Sequence, residues 1–308
     1  MSKSYKYLFG PVPSRRFGLS LGVDLVPRKT CTLDCVFCEV GPTTCLTAER
    51  KEYAPLRQIE KELALWRSAG GRADVVSVTG AGEPTLHSGF GEILEFIKKE
   101  IKIKSVLLTN STLMHLPGVR RSACAADIVK VTFSAWDEDS FRLLTRPHPG
   151  VRFADLLDGL RVFRSEYAGE LWMEVFIVPG INDGPGQIRQ IAALARSICP
   201  DKIQLNTAVR PTAESGIKAA PESLLNEARD LFRPKAEVIA RYAAAATAKA
   251  VIDEGAVLSM LRRRPCTARD VAASFALDLE ATLKALQTMQ AQGTLRMEKR
   301  GKEEYYMV

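Results

Sequence analysis

Three cysteines, Cys31, Cys35 and Cys38, lie within eight positions and are the residues of this 308-residue chain best suited to chemistry. Because one loop can wrap a cube whose sulfurs lie a few ångströms apart, thiolates at this spacing can bind three irons of a four-iron, four-sulfur cluster. An electron-transfer ferredoxin would supply a fourth thiolate at matching spacing. Without it, one iron stays open to a small molecule, which indicates chemistry rather than electron storage.

Two other metal sites use the same residue types. Together with Cys45, the three cysteines make a four-thiolate set, which is common in tetrahedral structural zinc sites. The same four thiolates would also give a fully ligated cluster. The remaining cysteines, Cys124, Cys199 and Cys266, stand alone on apolar patterns and are predicted to be small buried residues.

Strands and helices alternate from residue 19 to residue 207. Apolar runs predict strands at Leu19–Val26, Val75–Thr79, Ser105–Thr109, Ile128–Ser134, Leu171–Val178 and Ile203–Thr207. Helical spacing separates them at Leu56–Trp66, Ile93–Ile97, Phe153–Phe163 and Ile188–Ile198. Because each helix serves as a crossover, the sheet is predicted to be parallel. Six strand–helix units are too few for a closed eight-fold barrel, so we expect an α/β fold with a partial (β/α)6 barrel of TIM type.

The unusual residues follow the predicted strands, where such folds place their working loops. The cysteines follow the first strand, and Gly80-Ala-Gly82-Glu83-Pro84 follows the second. Asn110, Trp136-Asp137 and the loop with Asn182 follow the third, fourth and fifth, and Ser134 ends the fourth. These residues are therefore expected on one rim of the sheet. Taken alone, Gly80 to Pro84 is also consistent with a tight strand-to-helix turn, and it lacks the Gly-Lys-Ser/Thr ending of a phosphate loop.

The cysteine spacing, with aromatic Phe37 before the last cysteine, resembles the signature of the radical S-adenosylmethionine (radical SAM) superfamily. Gly80-Ala-Gly82-Glu83-Pro84 resembles that superfamily's Gly-Gly-Glu motif, with alanine in the middle position. The stretch from Phe9 to Gly22 and the sequence Arg146-Pro-His148-Pro resemble the wyosine-tRNA-synthetase-like iron-sulfur oxidoreductase subgroup. Characterised tRNA wyosine synthetases carry further cysteines upstream for a second cluster, and this chain has none before Cys31.

The resemblance implies two cofactors, a [4Fe-4S] cluster on Cys31, Cys35 and Cys38 and S-adenosylmethionine on its open iron. The family cleaves S-adenosylmethionine reductively and abstracts hydrogen from a substrate. A one-electron donor such as flavodoxin or ferredoxin is implied as a partner, and tRNA or a peptide or protein as the substrate.

Further site residues are implied by the same resemblance. Gly80 and Gly82 would let the backbone approach methionine closely, since a Cβ would obstruct it. Glu83 would accept from the methionine ammonium or orient the turn, next to Pro84. Ribose or carboxylate contacts are expected from Asn110, Ser134 and Asp137. Asn182 is expected near adenine or substrate, and His148 is a candidate substrate contact.

Composition limits the class of protein. Hydrophobic residues make up 46% and charged residues 26% of the chain, which fits a globular protein. No apolar run approaches the ~20 residues that span a bilayer, and the odd cysteine count argues against a secreted disulfide framework. We therefore expect a cytoplasmic protein that does not contact membrane. The net charge is +7, and basic residues of the first 30 positions, Arg28 and Lys29 among them, would attract an anionic substrate or form a solvated surface.

The chain changes character after Pro234. Residues 1–235 are predicted to form the radical SAM core, 236–254 an alanine-rich helical linker and 255–308 a separable winged-helix domain. Helices are expected around Val257–Leu261, over Thr267–Phe275 and after a cap at Asp278, followed by a hairpin around Gly301. Such a module binds nucleic acid, docks protein or peptide, or simply caps the core.

Two classes of function follow. In the first, the chain is a radical SAM enzyme whose C-terminal module recruits substrate or has a structural role. In the second, it is a regulator whose cluster senses oxygen or iron and whose winged helix binds DNA. The glycine-rich loop and the barrel pattern favour the enzyme, because a sensor needs neither.

Overall fold

The computed structural model describes residues 5–14, 16–239, 254–262, 265–275 and 277–308. Its strands are β1 (Leu8–Ser14), β2 (Gly18–Asp24), β3 (Thr30–Cys31), β4 (Cys45–Leu46), β5 (Val75–Thr79), β6 (Lys104–Thr109), β7 (Ile128–Thr132), β8 (Glu170–Ile177), β9 (Lys202–Thr207), β10 (Glu237–Val238), β11 (Cys266–Thr267), β12 (Arg296–Arg300) and β13 (Glu303–Met307). Its α-helices are α1 (Leu56–Ser68), α2 (Phe90–Phe96), α3 (Pro117–Ala123), α4 (Glu138–Thr145), α5 (Phe153–Glu166), α6 (Pro185–Ile198), α7 (Glu222–Arg229), α8 (Glu254–Leu261), α9 (Ala268–Phe275) and α10 (Leu279–Ala291).

The main sheet contains the six predicted parallel strands. Strands β2, β5, β6, β7, β8 and β9 lie side by side in chain order and run parallel. Within the described residues the sheet is open, with β1 antiparallel at one edge and β10 parallel at the other. The expected α/β fold with a mostly parallel sheet is confirmed, and the carboxyl ends of the six strands share one rim.

Several elements were not predicted from the sequence. Strand β1 contains Pro11 and Pro13, which remove backbone donors and so argue against a strand except at a sheet edge, where β1 lies. Helices α3, α4 and α7 have only seven or eight residues, too few to show a helical period. A capping box starts α4, in which Asp137 Oδ1 accepts from Ser140 N at 2.8 Å.

The turn between β1 and β2 packs over the amino ends of the parallel strands. Phe17 in this turn stacks on Trp172 with ring centroids 4.9 Å apart. It packs with residues at the amino ends of neighbouring strands, Val75, Val106 and Ile128. The opposite rim, where the carboxyl ends lie, is the side that carries the cysteine loop.

The C-terminal segment contains the predicted helices and hairpin. Asp278 caps α10, with its Oδ1 accepting from Ala281 N at 2.9 Å, and β11 pairs with β13 to give the strand order β11-β13-β12. The predicted helical linker over 236–254 is wrong at its start, because Glu237–Val238 pairs with β9 as a strand. Residues 240–253, which contain most of that linker, lie outside the described residues.

The C-terminal segment shares an apolar cluster with the barrel. Val12 and Phe9 of β1 pack in one cluster with Val257, Val271 and other residues of α8, α9 and α10. Two side chains also reach barrel carbonyls, with Tyr305 Oη donating to Val209 O at 2.7 Å and Arg300 Nη1 to Ile217 O at 2.9 Å. The C-terminal segment therefore packs against β1 and stabilises it. That the segment folds as a domain separable from the rest of the chain stays a prediction.

The isolated cysteines differ from expectation in part. Cys266 is buried, as predicted, but Cys124 and Cys199 are exposed. Cys124 ends α3 and Cys199 ends α6, where the chain turns away from the core.

None of the helices described is long and apolar enough to cross a membrane.

Replacing Tyr305 with phenylalanine tests the docking of the C-terminal segment. The variant loses the hydrogen bond to Val209 O at a buried junction, so we expect the free energy of unfolding to fall by about 1 kcal/mol in urea titrations. Tyr53→Phe is the matched control, because Tyr53 also donates to a carbonyl, Glu49 O at 2.8 Å, but this hydrogen bond is exposed to solvent. Equal effects of the two substitutions would contradict a stabilising junction.

Candidate active site

The cysteine loop follows β2 and is held by its backbone from two sides. Carbonyl groups at the C-terminal end of α4 accept hydrogen bonds from amides of the loop, and the amides of residues 213–214 donate to carbonyls of the loop. The bonds are Asp34 N to Thr145 O (2.8 Å), Val36 N to Leu144 O (3.0 Å), Ala213 N to Cys38 O (2.9 Å) and Glu214 N to Val36 O (3.1 Å). The positions of the cysteines are therefore fixed by tertiary contacts as well as by the short strand β3.

Cys31, Cys35 and Cys38 line one cavity of about 230 Å³ at the carboxyl rim. Most of the wall is apolar, and polar groups reach it from the loops after β5, β6 and β7. Of the other residues predicted for the site, those lining this cavity are Phe37, Gly82, Glu83, Asn110 and Ser134. The structure thus brings together residues from four separate stretches of chain.

The thiols are unfavourable as free thiolates. Burial, and after it the nearby charge of Glu83, raise the pKa of the Cys31 thiol to about 12. Burial also raises the pKa of Cys35 well above its ordinary value, and repulsion from Cys38 and Cys31 adds to the rise. Bound iron removes this penalty, since metal ligation stabilises the thiolate form.

The three thiols share one cavity but do not form the ligand set of a single metal ion. Among the described residues, no three His, Cys, Asp or Glu side chains converge as ligands of a single metal ion do. A cubane instead takes each thiolate at a different iron. Cys45 is exposed and lies outside the cavity lining, although its strand β4 pairs with β3.

Glu83 has a carboxylate that is buried and fully engaged by the protein. Its Oε1 accepts from Thr109 Oγ1 at 2.6 Å and from Thr85 Oγ1 at 2.6 Å, and its Oε2 accepts from Asn110 N at 2.8 Å. Burial raises the pKa of Glu83, and these hydrogen bonds act in the opposite direction. Of the two roles expected for Glu83, orienting the turn is the one that these contacts support.

Gly82 lacks a side chain for a reason that the sequence did not indicate. A Cβ on Gly82 would lie 2.0 Å from Thr30 O, the carbonyl directly before Cys31. The backbones of the two loops therefore touch here, and Glu83 N donates to the same carbonyl at 3.1 Å. Gly82 therefore makes room for the cysteine loop, and the expected close approach of its backbone to methionine stays a prediction.

Gly80 and Pro84 lie away from the cavity. A Cβ on Gly80 would meet Asp24 Oδ1 at 3.4 Å, an ordinary contact, and Gly80 is not among the described residues with positive φ. Pro84 is buried at the start of a 3-10 turn, Pro84–Leu86. Neither lines the cavity within the described part of the chain, so direct contact with a ligand there is not supported for these two residues.

Asn110 joins the loop after β6 to the cysteine loop. Its Nδ2 donates to Thr32 Oγ1 at 2.8 Å and lies 3.5 Å from Cys31 Sγ. Its Oδ1 accepts from Thr112 N at 3.1 Å. This side chain therefore orients two loops and contacts a candidate metal ligand.

Asn182 and Asp137 act within the scaffold. Asn182 is fully buried, and its Nδ2 donates to Ser134 O and to Phe176 O, each at 2.9 Å, while its Oδ1 accepts from Val178 N. The amide thus joins the loops after β7 and β8, and the expected contact with adenine or substrate is not supported. Asp137 is engaged as the cap of α4.

Phe37 and Ser134 both remain at the cavity. Phe37 stacks on Phe176 of β8 with ring centroids 4.4 Å apart, which fixes the ring beside Cys38. Ser134 Oγ accepts from Phe176 N at 2.8 Å. His148 N donates to Thr32 O at 2.9 Å, so this histidine supports the cysteine loop by its backbone.

Sequence reasoning missed a group of charges inside the barrel. Lys130 Nζ lies 2.8 Å from Glu174 Oε2, and the Arg16 guanidinium contacts the same oxygen and donates to Gln204 Oε1 at 3.0 Å. The available signal was a charged residue within an otherwise apolar strand, Lys130 in β7 and Glu174 in β8. Arg15, which precedes Arg16, lies outside the described residues.

These charges lie between two cavities. Lys130 lines the cavity with the three cysteines, and Arg16 and Glu174 line a second one of about 240 Å³. Phe37 and Cys38 border both. The second cavity is more polar, and it adjoins the cysteine loop from inside the barrel.

Comparisons with known proteins show the family of this chain. A family model described as the radical SAM superfamily matches residues 25–193. A UPF0026 protein of Helicobacter pylori is 32% identical over 307 residues, covering 97% of this chain and 96% of that protein. A UPF0026 protein of Methanocaldococcus jannaschii is 34% identical over 226 residues, covering 73% and 70%. A Brachyspira hyodysenteriae protein named GTPase Obg is 30% identical over 299 residues, and the chain spans only 44% of its length.

Solved structures show the same fold. A radical SAM methyltransferase from Sphaerobacter thermophilus aligns with a TM-score of 0.53 at 19% identity, covering 71% of this chain and 66% of that one. SuiB of Streptococcus suis bound to precursor peptide SuiA aligns with a TM-score of 0.52 at 18% identity, covering 68% and 45%. At these identities the likeness concerns the fold alone.

The contact between Gly82 and Thr30 predicts opposite outcomes for two neighbouring glycines. Gly82→Ala places a methyl group against the carbonyl before Cys31, so we expect a displaced cysteine loop and loss of most iron after anaerobic reconstitution. Gly80→Ala meets only ordinary contacts and should keep its iron. Iron content and circular dichroism on the same preparations check both variants, and full iron loading of Gly82→Ala would refute the close contact.

Glu83→Gln tests the buried carboxylate. An amide group replaces one acceptor oxygen and faces donors, so we expect the free energy of unfolding of the iron-free protein to fall by about 1–3 kcal/mol. Urea denaturation measures the change. Glu100→Gln, at an exposed position, is the control and should stay within about 0.5 kcal/mol of the parent protein.

Proposed function

The chain belongs to the radical SAM superfamily, and we propose that Cys31, Cys35 and Cys38 bind its [4Fe-4S] cluster through three irons, leaving the fourth iron open. The family match makes the chain an S-adenosylmethionine-dependent enzyme with these two cofactors. The observation that carries the assignment of ligands is the cavity that all three thiols line, while Cys45 lies outside its lining. When bound, the two cofactors supply a carbon radical able to abstract hydrogen.

We assign S-adenosylmethionine to the cavity that the thiols line. Asn110 and Ser134 present polar groups there, as expected from the resemblance, and the Lys130 ammonium adds a buried positive charge suited to a carboxylate. Phe37 and the apolar wall exclude water. Glu83, Gly82 and Asn182 act by holding the loops in place.

We assign the substrate to the second cavity, inside the barrel. It borders Cys38 and Phe37 and is lined by Arg16, Glu174 and Asn206. A substrate here lies beside the cofactor cavity, because Phe37 and Cys38 border both cavities. Because Phe17 packs over the amino ends of the strands, we propose that the substrate enters from the opposite rim.

We propose that the substrate is a macromolecule, either tRNA, as in the wyosine-like subgroup, or a peptide or protein. The C-terminal segment supports this, because three helices, a hairpin and the strand order β11-β13-β12 are the elements of a winged-helix domain. Its docking on β1 places it beside the residues that precede Arg16. The alternative, a DNA-binding sensor, is not favoured by the superfamily match.

Two further points complete the proposal. A one-electron donor such as flavodoxin or ferredoxin reduces the cluster, because the superfamily's reaction begins with an electron. We place the protein in the cytoplasm, where thiols remain reduced, on the basis of its cysteine usage.

The decisive experiment uses anaerobically reconstituted, dithionite-reduced protein. We expect about one [4Fe-4S] cluster per chain and conversion of S-adenosylmethionine to 5′-deoxyadenosine, detected by chromatography. Serine at position 31, 35 or 38 should abolish both, because each thiolate holds a separate iron. Cys45→Ser is the matched control and should retain both, and loss of the cluster in this variant would refute the open iron.

A further inference from the structure

Lys29 is a buried lysine whose ammonium meets a cysteine of the site. The residue is 5% exposed, and its Nζ donates to Cys38 Sγ at 3.1 Å. A buried ammonium is costly unless a negative partner compensates it. The thiol of Cys38 supplies such a charge only as a thiolate, which is the form that binds iron.

The backbone of Lys29 is also unusual. Its φ is 58°, in the left-handed region that favours glycine. The position is over-determined by neighbours, since Lys29 N donates to Ala81 O at 2.6 Å and Lys29 O accepts from Cys45 N at 3.0 Å. Strained residues of this kind occur at functional sites, where the surrounding structure holds them.

The other charges close to the thiols are mostly negative. Glu83 acts on Cys31 and Asp34 acts on Cys35, and both disfavour negative charge on sulfur. Lys29 acts in the opposite direction and lowers the pKa of both Cys31 and Cys35. The next carboxylate along the chain, Glu39, is paired with Arg210 at 3.0 Å.

We propose that Lys29 is a positioning residue for the cluster, whose ammonium compensates the negative charge of the thiolate-bound iron and thereby raises its reduction potential. The inference rests on the proposed cluster ligands. Reduction transfers one electron from the external donor to the cluster and adds one negative charge beside Cys38. A fixed cation within hydrogen-bond distance of a ligand sulfur stabilises that added charge, because hydrogen bonds and net charge tune iron–sulfur potentials.

The test is an anaerobic redox titration, monitored by electron paramagnetic resonance, of reconstituted protein without S-adenosylmethionine. Lys29→Met keeps the length of the side chain and removes its charge. We expect reduction of this variant to be at least about tenfold less favourable, a shift of about 59 mV to more negative potential for a one-electron couple. Lys29→Arg should restore most of the parent potential. Lys51→Met is the control, because Lys51 is exposed and forms an ion pair with Glu49. The reduction potential of the cluster in this variant should equal that of the parent protein.

Iron content and circular dichroism on the same samples cover the remaining outcomes. If Lys29→Met is folded but holds no iron while Lys29→Arg holds it, the cation is needed to retain the cluster, which supports the compensation of charge. An unchanged potential in Lys29→Met overturns the proposal, as does loss of iron from both variants, because shape rather than charge would then explain Lys29. A parent protein without any cluster would refute the proposed function instead.

Discussion

The buried carboxylate of Glu83 is the contact on which the site depends. It accepts from the loop after β6 and from its own turn, while its backbone amide donates to the residue before Cys31. One residue, through its carboxylate and its backbone amide, therefore contacts three loops that come from separate parts of the chain. A buried carboxylate is tolerated only because all of these donors converge on it. The absence of a side chain at Gly82 belongs to the same arrangement, since it lets the two backbones touch.

Charge balance is the second constraint. Buried thiols resist ionisation, and Glu83 increases that resistance at Cys31. Iron bound to the sulfurs, as proposed, would offset this cost. Lys29 Nζ lies 3.1 Å from Cys38 Sγ, where it would compensate part of the resulting negative charge. On the barrel side, Arg16 and Lys130 share Glu174, which leaves an excess of one positive charge in this group near both cavities. The proposed cluster site thus has cations near it, Lys29 at the cysteine loop and Lys130 in the wall of the cavity.

Packing outside the site determines how it opens. Phe17 packs over the amino ends of the strands, on the side of the sheet away from the cysteine loop. The C-terminal segment packs on β1 and bonds to Val209 and Ile217, and the chain between those two residues donates to the cysteine loop at Cys38. The C-terminal segment is therefore connected to the cysteine loop by direct contacts through the chain between Val209 and Ile217.

The sequence alone determined the features that depend on local spacing. Three cysteines in one loop, six apolar strands separated by helices, and the helices and hairpin of the C-terminal segment were all evident, because each pattern repeats over a few residues. Long-range packing decided the rest. Strand β1 lies at a sheet edge, where its prolines are tolerated. Gly82 faces a carbonyl fifty-two positions earlier in the chain. The side-chain amide of Asn182 is hydrogen-bonded to three backbone groups. Lys130 had only the signal of a charge within an apolar strand, and Lys29 had none. The fold buries both, and the partner of a buried charge is chosen by tertiary contact rather than by its neighbours in sequence.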